Sequence, residues 1–102
     1  MWISVIFDLP SVTANDRKNY RQVRKLLLSS GFALIQRSLF WRWVENKESA
    51  DSLIHRMQQK LPSTGNIIFL CISDTSFKNS RHIMDGTLQE LPAPPNPWII
   101  LA

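Results

Sequence analysis

The chain has 102 residues, 44% of them hydrophobic and 20% charged, with three glycines and one cysteine. That size and balance fit one folded domain and exclude a disordered, fibrous or multidomain protein. Its formal charge of +4 is uneven: residues 1–44 carry seven Lys/Arg against Asp8 and Asp16, and residues 45–102 carry five against six acids.

The first predicted element is a strand from Trp2 to Leu9, nearly continuous in apolar residues and ended by Pro10, which reads as buried on both faces. Asp8 falls at its carboxyl tip. Thr13 and Asp16 form an [ST]-x-x-[DE] capping box, and Tyr20, Val23, Leu26 and Leu27 then recur at helical spacing up to Gly31, the expected C-terminal cap. Residues 32–44 favour strand but are broken by Gln36, Arg37 and Ser38, which predicts a short strand, a tight reversal and a second strand.

Asn46 is placed to cap a second helix, with Ala50, Leu53, Ile54, Met57 and Leu61 on one face and Pro62 after its end. Gly65 opens the apolar run "NIIFLCI", which reads as a strand at the centre of a sheet, with Cys71 as a small core residue. Beyond Asp74 the pattern weakens to a helical turn and a strand near residues 81–84. "PAPPNP" is a stiff linker and "WIILA" a last apolar strand. That strand needs an edge to pair with, which is either its own sheet or a second copy of the chain.

The order β-α-β-β-α-β predicts an α+β, ferredoxin-like domain with an extra C-terminal strand: a core over 1–77 and an extension over 78–102. No apolar stretch reaches the roughly 20 residues of a membrane span, and the N-terminus lacks signal-peptide character, so a cytoplasmic protein is expected.

Two features bear chemistry. An acid at a strand tip either caps a turn or holds a metal ion. Because one carboxylate makes a poor magnesium site, the second reading requires a dimer that brings two Asp8 side chains together. Arg17, Lys18, Arg21, Arg24 and Lys25 lie within nine residues with no acid among them. Such a run is a solvated helix face or, as that density favours, a phosphate-contacting surface. Trp41 and Trp43 alternate with Arg42 and read as packing residues, with base stacking as the alternative. Apart from Asp51, one turn before His55, neither His55 nor His82 has a partner at ligand spacing, and both are expected at the surface. An RRM-like single-stranded RNA binder would need aromatics on a glycine-bearing strand, which the chain does not offer.

Taken together, "FDLP", "DRKNYRQVRKLLLSSGF", "QRSLF" and "PSTGNIIFLCIS" resemble the second CRISPR-associated family, Cas-two, in the form that accompanies single-protein effectors. The resemblance implies a homodimer that exchanges C-terminal strands, with Asp8 as catalytic ligand of Mg2+ or Mn2+ at the dimer interface of an endonuclease of RNA or double-stranded DNA. It puts Arg17 and Arg21 on the family's basic helix, and Ser38 and Phe40 at positions that support the site. It also implies a second role, a non-catalytic bridge that holds the Cas-one integrase on protospacer duplex during spacer acquisition in a prokaryotic cytoplasm. The "DTSF" segment after Ile72 departs from the family's pattern, in the region where a partner contact is expected.

Overall fold

The structure is a computed structural model that describes residues 1–95; the expected strand at 98–102 lies outside the described residues. Strand β1 (Trp2–Asp8) is followed by helix α1 (Ala14–Ser29), strands β2 (Ala33–Gln36) and β3 (Leu39–Trp43), helix α2 (Lys47–Gln58) and strand β4 (Asn66–Ile72). The strands form one antiparallel sheet in the order β2-β3-β1-β4. This is the ferredoxin-like arrangement read from the sequence.

Alternation along β1 decides what each face does. Ile3, Val5 and Phe7 point to the helices and join Val23, Leu27, Phe32, Phe40, Leu53 and Met57 in a buried core. Both helices begin as their sequences dictate. The Thr13 hydroxyl accepts from the Asp16 amide, while the Asp16 carboxylate accepts from the Val12 and Thr13 amides, closing the capping box. The Asn46 side chain accepts from the Ser49 amide at 2.8 Å. Gly31, at φ +85°, takes the left-handed position just after α1.

On the other face, the end of the sheet that carries Trp2 and Trp41 is covered by the chain itself. Helix α3 (Asp74–Lys78) sets Phe77 on Trp2, stacked at 4.3 Å, and edge-on to Trp41 at 5.1 Å. Two short strands, β5 (His82–Met84) and β6 (Thr87–Gln89), then form a separate hairpin. Asp85 and Gly86 both have positive φ in its two-residue turn. Trp41 and Trp43 thus pack within the chain, and the second strand of this hairpin was not anticipated.

Four expectations are corrected. Among the described residues β4 is an edge strand of this sheet, not a central one. Cys71 is exposed, since the strand that carries it sits at the edge where the layer above leaves it open. β1 is not covered on both faces along its length, because Ile6 is 43% exposed on the face away from the helices. His55 is exposed as expected, whereas His82 is half-buried against the edge of Trp41.

Candidate functional site

Asp8 is the last residue of β1, paired with Asn66 of β4 and exposed. The chain turns immediately after it, and the capping box at Thr13 fixes how α1 returns over the strand tip. Between them lies a cavity of about 410 Å³ lined by Phe7, Asp8, Leu9, Pro10, Ser11, Arg17, Tyr20, Arg21, Arg37 and Ser38. Asp8 thus shares the lining of this cavity with three arginines, two serines and a tyrosine.

The structure brings Asp8, Arg17, Arg21 and Ser38 together. Lys18, Arg24 and Lys25 are exposed on α1 and do not line the cavity. Phe40 lies behind it, fully buried and stacked on Phe7 at 5.9 Å, so it braces the strand tip from the core. The amide of Phe7 donates to the Ser38 carbonyl at 3.1 Å, which ties the β2–β3 turn to the end of β1.

Tyr20 and Arg37 are site residues that sequence reasoning missed. The Tyr20 hydroxyl donates to the Arg37 carbonyl at 3.0 Å, and the Arg37 guanidinium carbon lies 4.8 Å from the Tyr20 ring centre. A register shift between Leu34 and Gln36 precedes this turn and re-aims the residues after it. Reading Arg37 only as part of a turn hid it. The available signal was a cation next to a serine at the end of a hairpin beside the acid-bearing strand.

Glycine is required on the other side of the tip. Gly65 has φ +91°, and a Cβ there would collide with the Leu9 side chain and come within 3.2 Å of the Asp8 carbonyl oxygen. A side chain at position 65 would push Leu9 aside and crowd the Asp8 carbonyl where β4 closes on β1.

The outer face beside Asp8 is apolar. Ile6 pairs with Ile68 and Ser4 with Leu70, and Ile68 and Leu70 are 47% and 42% exposed. Asp8 shares this face by alternation, so the acid stands at the rim of an apolar strip that is exposed among the described residues.

A model of the family described as CRISPR associated protein Cas2 matches residues 1–80. The chain belongs to the Cas2 family. A protein of Lacticaseibacillus rhamnosus named CRISPR-associated endoribonuclease Cas2 is 37% identical over 87 residues, 85% of each chain. A Parvibaculum lavamentivorans protein of the same name is 39% identical over 77 residues, 76% of each chain. Among solved structures, Streptococcus pyogenes Cas2 at pH 6.5 is 31% identical with a TM-score of 0.56, over 72% of this chain and 87% of that one. The family assignment agrees with the resemblance seen in "FDLP" and "QRSLF". It covers the sheet, both long helices and the cavity at Asp8. None of the helices among the described residues is long and apolar enough to cross a membrane.

Proposed function

We propose that this Cas2-family chain is a CRISPR-associated endonuclease that cleaves phosphodiester bonds with Asp8 at the reacting centre, acting as a homodimer. The observation that carries this reading is the strand-tip cavity, which the exposed Asp8 lines together with Arg17, Arg21 and Arg37. Arginines of that number bind and orient a phosphodiester, with the guanidinium fork matching two phosphate oxygens. The Ser38 hydroxyl lies beside them as a further donor. The relatives' name, endoribonuclease, supports RNA as the substrate class, and double-stranded DNA presents the same scissile group.

Magnesium or manganese is the cofactor this reading requires. Among the described residues no group of three His, Cys, Asp or Glu could hold a metal ion. Magnesium, however, is commonly held by one or two carboxylates, water and substrate phosphates, so Asp8 and Asp8 of a second copy fit it. When bound, the ion polarises the phosphoryl group and activates water. The chain's own residues hold the substrate, neutralise its charge and fix the carboxylate by bracing the strand tip.

The exposed strip of Ile6, Ile68 and Leu70 supports the dimer, because a second copy covering it would bury these side chains and approach Asp8 from the same face. A second reading rests on Lys18, Arg24 and Lys25, which lie outside the cavity and extend the basic surface along α1. In it the chain is a structural bridge that holds protospacer duplex with the Cas-one integrase and needs no cleavage.

The deciding experiment compares wild type with Asp8→Asn on labelled single-stranded RNA and duplex DNA, with magnesium and with chelator. Magnesium-dependent cleavage lost in the variant establishes the nuclease. Duplex binding by both proteins, without cleavage, establishes the bridge.

A further inference from the structure

Arg42 sits on β3 opposite Ile3, on the same side as Phe40, and so points into the helical layer. It is half-buried, and its Nη1 donates to the Ser30 carbonyl at 2.6 Å, capping the end of α1. That bond uses one of five guanidinium donors. The ion pairs among the described residues are Met1–Asp74 and Lys47–Asp51, so Arg42 has no carboxylate there.

Two cavities flank it and share Arg42, Leu53 and Arg56: a groove of about 430 Å³ between the end of α1 and α2, and one of about 460 Å³ between β3 and the start of α2. Lys60 adds a third cation to the groove, and Glu48, on the first turn of α2, lines the neighbouring cavity. By register the groove is five residues along β1 from Asp8, about 17 Å away at strand spacing. It is separate from the cavity at the strand tip.

We propose that this groove is a second phosphate-binding site that takes backbone phosphates of a nucleic acid through Arg42, Arg56 and Lys60. The chemistry favours phosphate over an acidic peptide. Leu53 and Met57 in the floor are 7% and 2% exposed, so little apolar surface remains to anchor peptide side chains. Guanidinium, ammonium and serine hydroxyl groups are what the groove presents, and Arg42 is pre-oriented by its bond to Ser30. The proposal rests on the reading that this chain binds nucleic acid, and it extends the footprint beyond the strand-tip cavity to the far end of the helical layer.

The test uses the full chain and Arg56→Gln/Lys60→Gln, which keeps polar side chains at two exposed positions. Affinity for a labelled DNA duplex is measured across a salt series, with Arg17→Gln/Arg21→Gln alongside. The groove variant should lower the slope of log affinity against log salt by about 2, one per lost phosphate contact. The Nε–H resonance of Arg42 should shift on adding duplex to wild type. An unchanged slope in the groove variant, with a reduced slope in Arg17→Gln/Arg21→Gln, would falsify the groove proposal and leave the strand-tip reading intact. Wild type that binds neither duplex nor RNA sinks both. An Arg42 resonance that responds to inorganic phosphate or polyglutamate but not to duplex also overturns it.

Discussion

Tyr20 and Arg37 hold each other through two contacts: the phenol donates to the arginine carbonyl at 3.0 Å, and the guanidinium carbon lies 4.8 Å from the ring centre. One residue comes from α1 and the other from the β2–β3 turn, so the pair closes one wall of the Asp8 cavity. Tyr20→Phe keeps the ring and removes the donor. Because the bond is exposed, the expected cost is about 0.5 kcal/mol, a shift of a few degrees in thermal midpoint. Arg37→Ala should leave the midpoint nearly unchanged but lower the salt slope of RNA binding by about 1. An unaltered slope would place Arg37 outside the phosphate contacts.

Gly65→Ala tests the strand tip from its other side. The added methyl meets Leu9, and the φ of +91° strains any L side chain. A loss of about 1–3 kcal/mol is expected, read as a lower denaturation midpoint. Because the clash is next to the Asp8 carbonyl, amide exchange at Asp8 and Asn66 should rise more than exchange at Val5. Equal protection at both places would show that the tip is not where the strain is released.

The order of the first six elements, both helix caps and the core face of each helix were legible in the sequence, because capping chemistry and 3.6-residue periodicity are local signals. The position of β4 was not. A continuous apolar strand looks the same whether both faces are buried within one chain or one face awaits a second copy, and Ile68 and Leu70 are exposed among the described residues. The β5–β6 hairpin carried a local signal, Asp85-Gly86, that was masked by the short strands around it. Asp8, Arg17, Arg21 and Ser38 were picked as separate residues, but that they share a cavity depends on the turn after Pro10, which no periodicity encodes. Arg42 was seen to point away from the tryptophans. That it would meet Arg56 and Lys60 required the packing of α1 and α2.

Asp74 joins α3 to the sheet. Its carboxyl accepts from the chain's amino group at 2.7 Å and from the Trp43 indole N–H at 3.1 Å, and these contacts, the amino group first, hold its pKa below the ordinary 3.8. A depressed folded-state pKa means that the contribution is full above the unfolded value and is lost as pH falls through the folded one. Attachment of α3 should therefore be constant from neutral pH down to about 4 and weaken below it. Tryptophan fluorescence reports this, since Phe77 of α3 packs on Trp2 and Trp41. Asp74→Asn should abolish the acid-dependent change in fluorescence. Persistence of that change would assign it to another carboxylate, such as Asp16, which Thr13 holds low in the same way.

The apolar strip beside Asp8 gives the dimer its sharpest test. Ile68 is 47% exposed and paired with Ile6, so Ile68→Glu should barely alter the folding of one chain. In a dimer covering that face the new carboxylate would be desolvated without a partner, which costs far more than the side chain contributes at the surface. Sedimentation should show wild type as a dimer and Ile68→Glu as a monomer with an unchanged circular dichroism spectrum. If cleavage requires Asp8 from both copies, activity of the variant should fall with its dimer fraction and recover at high protein concentration. A monomeric variant of full activity at every concentration would mean that one Asp8 with its three arginines is the complete site.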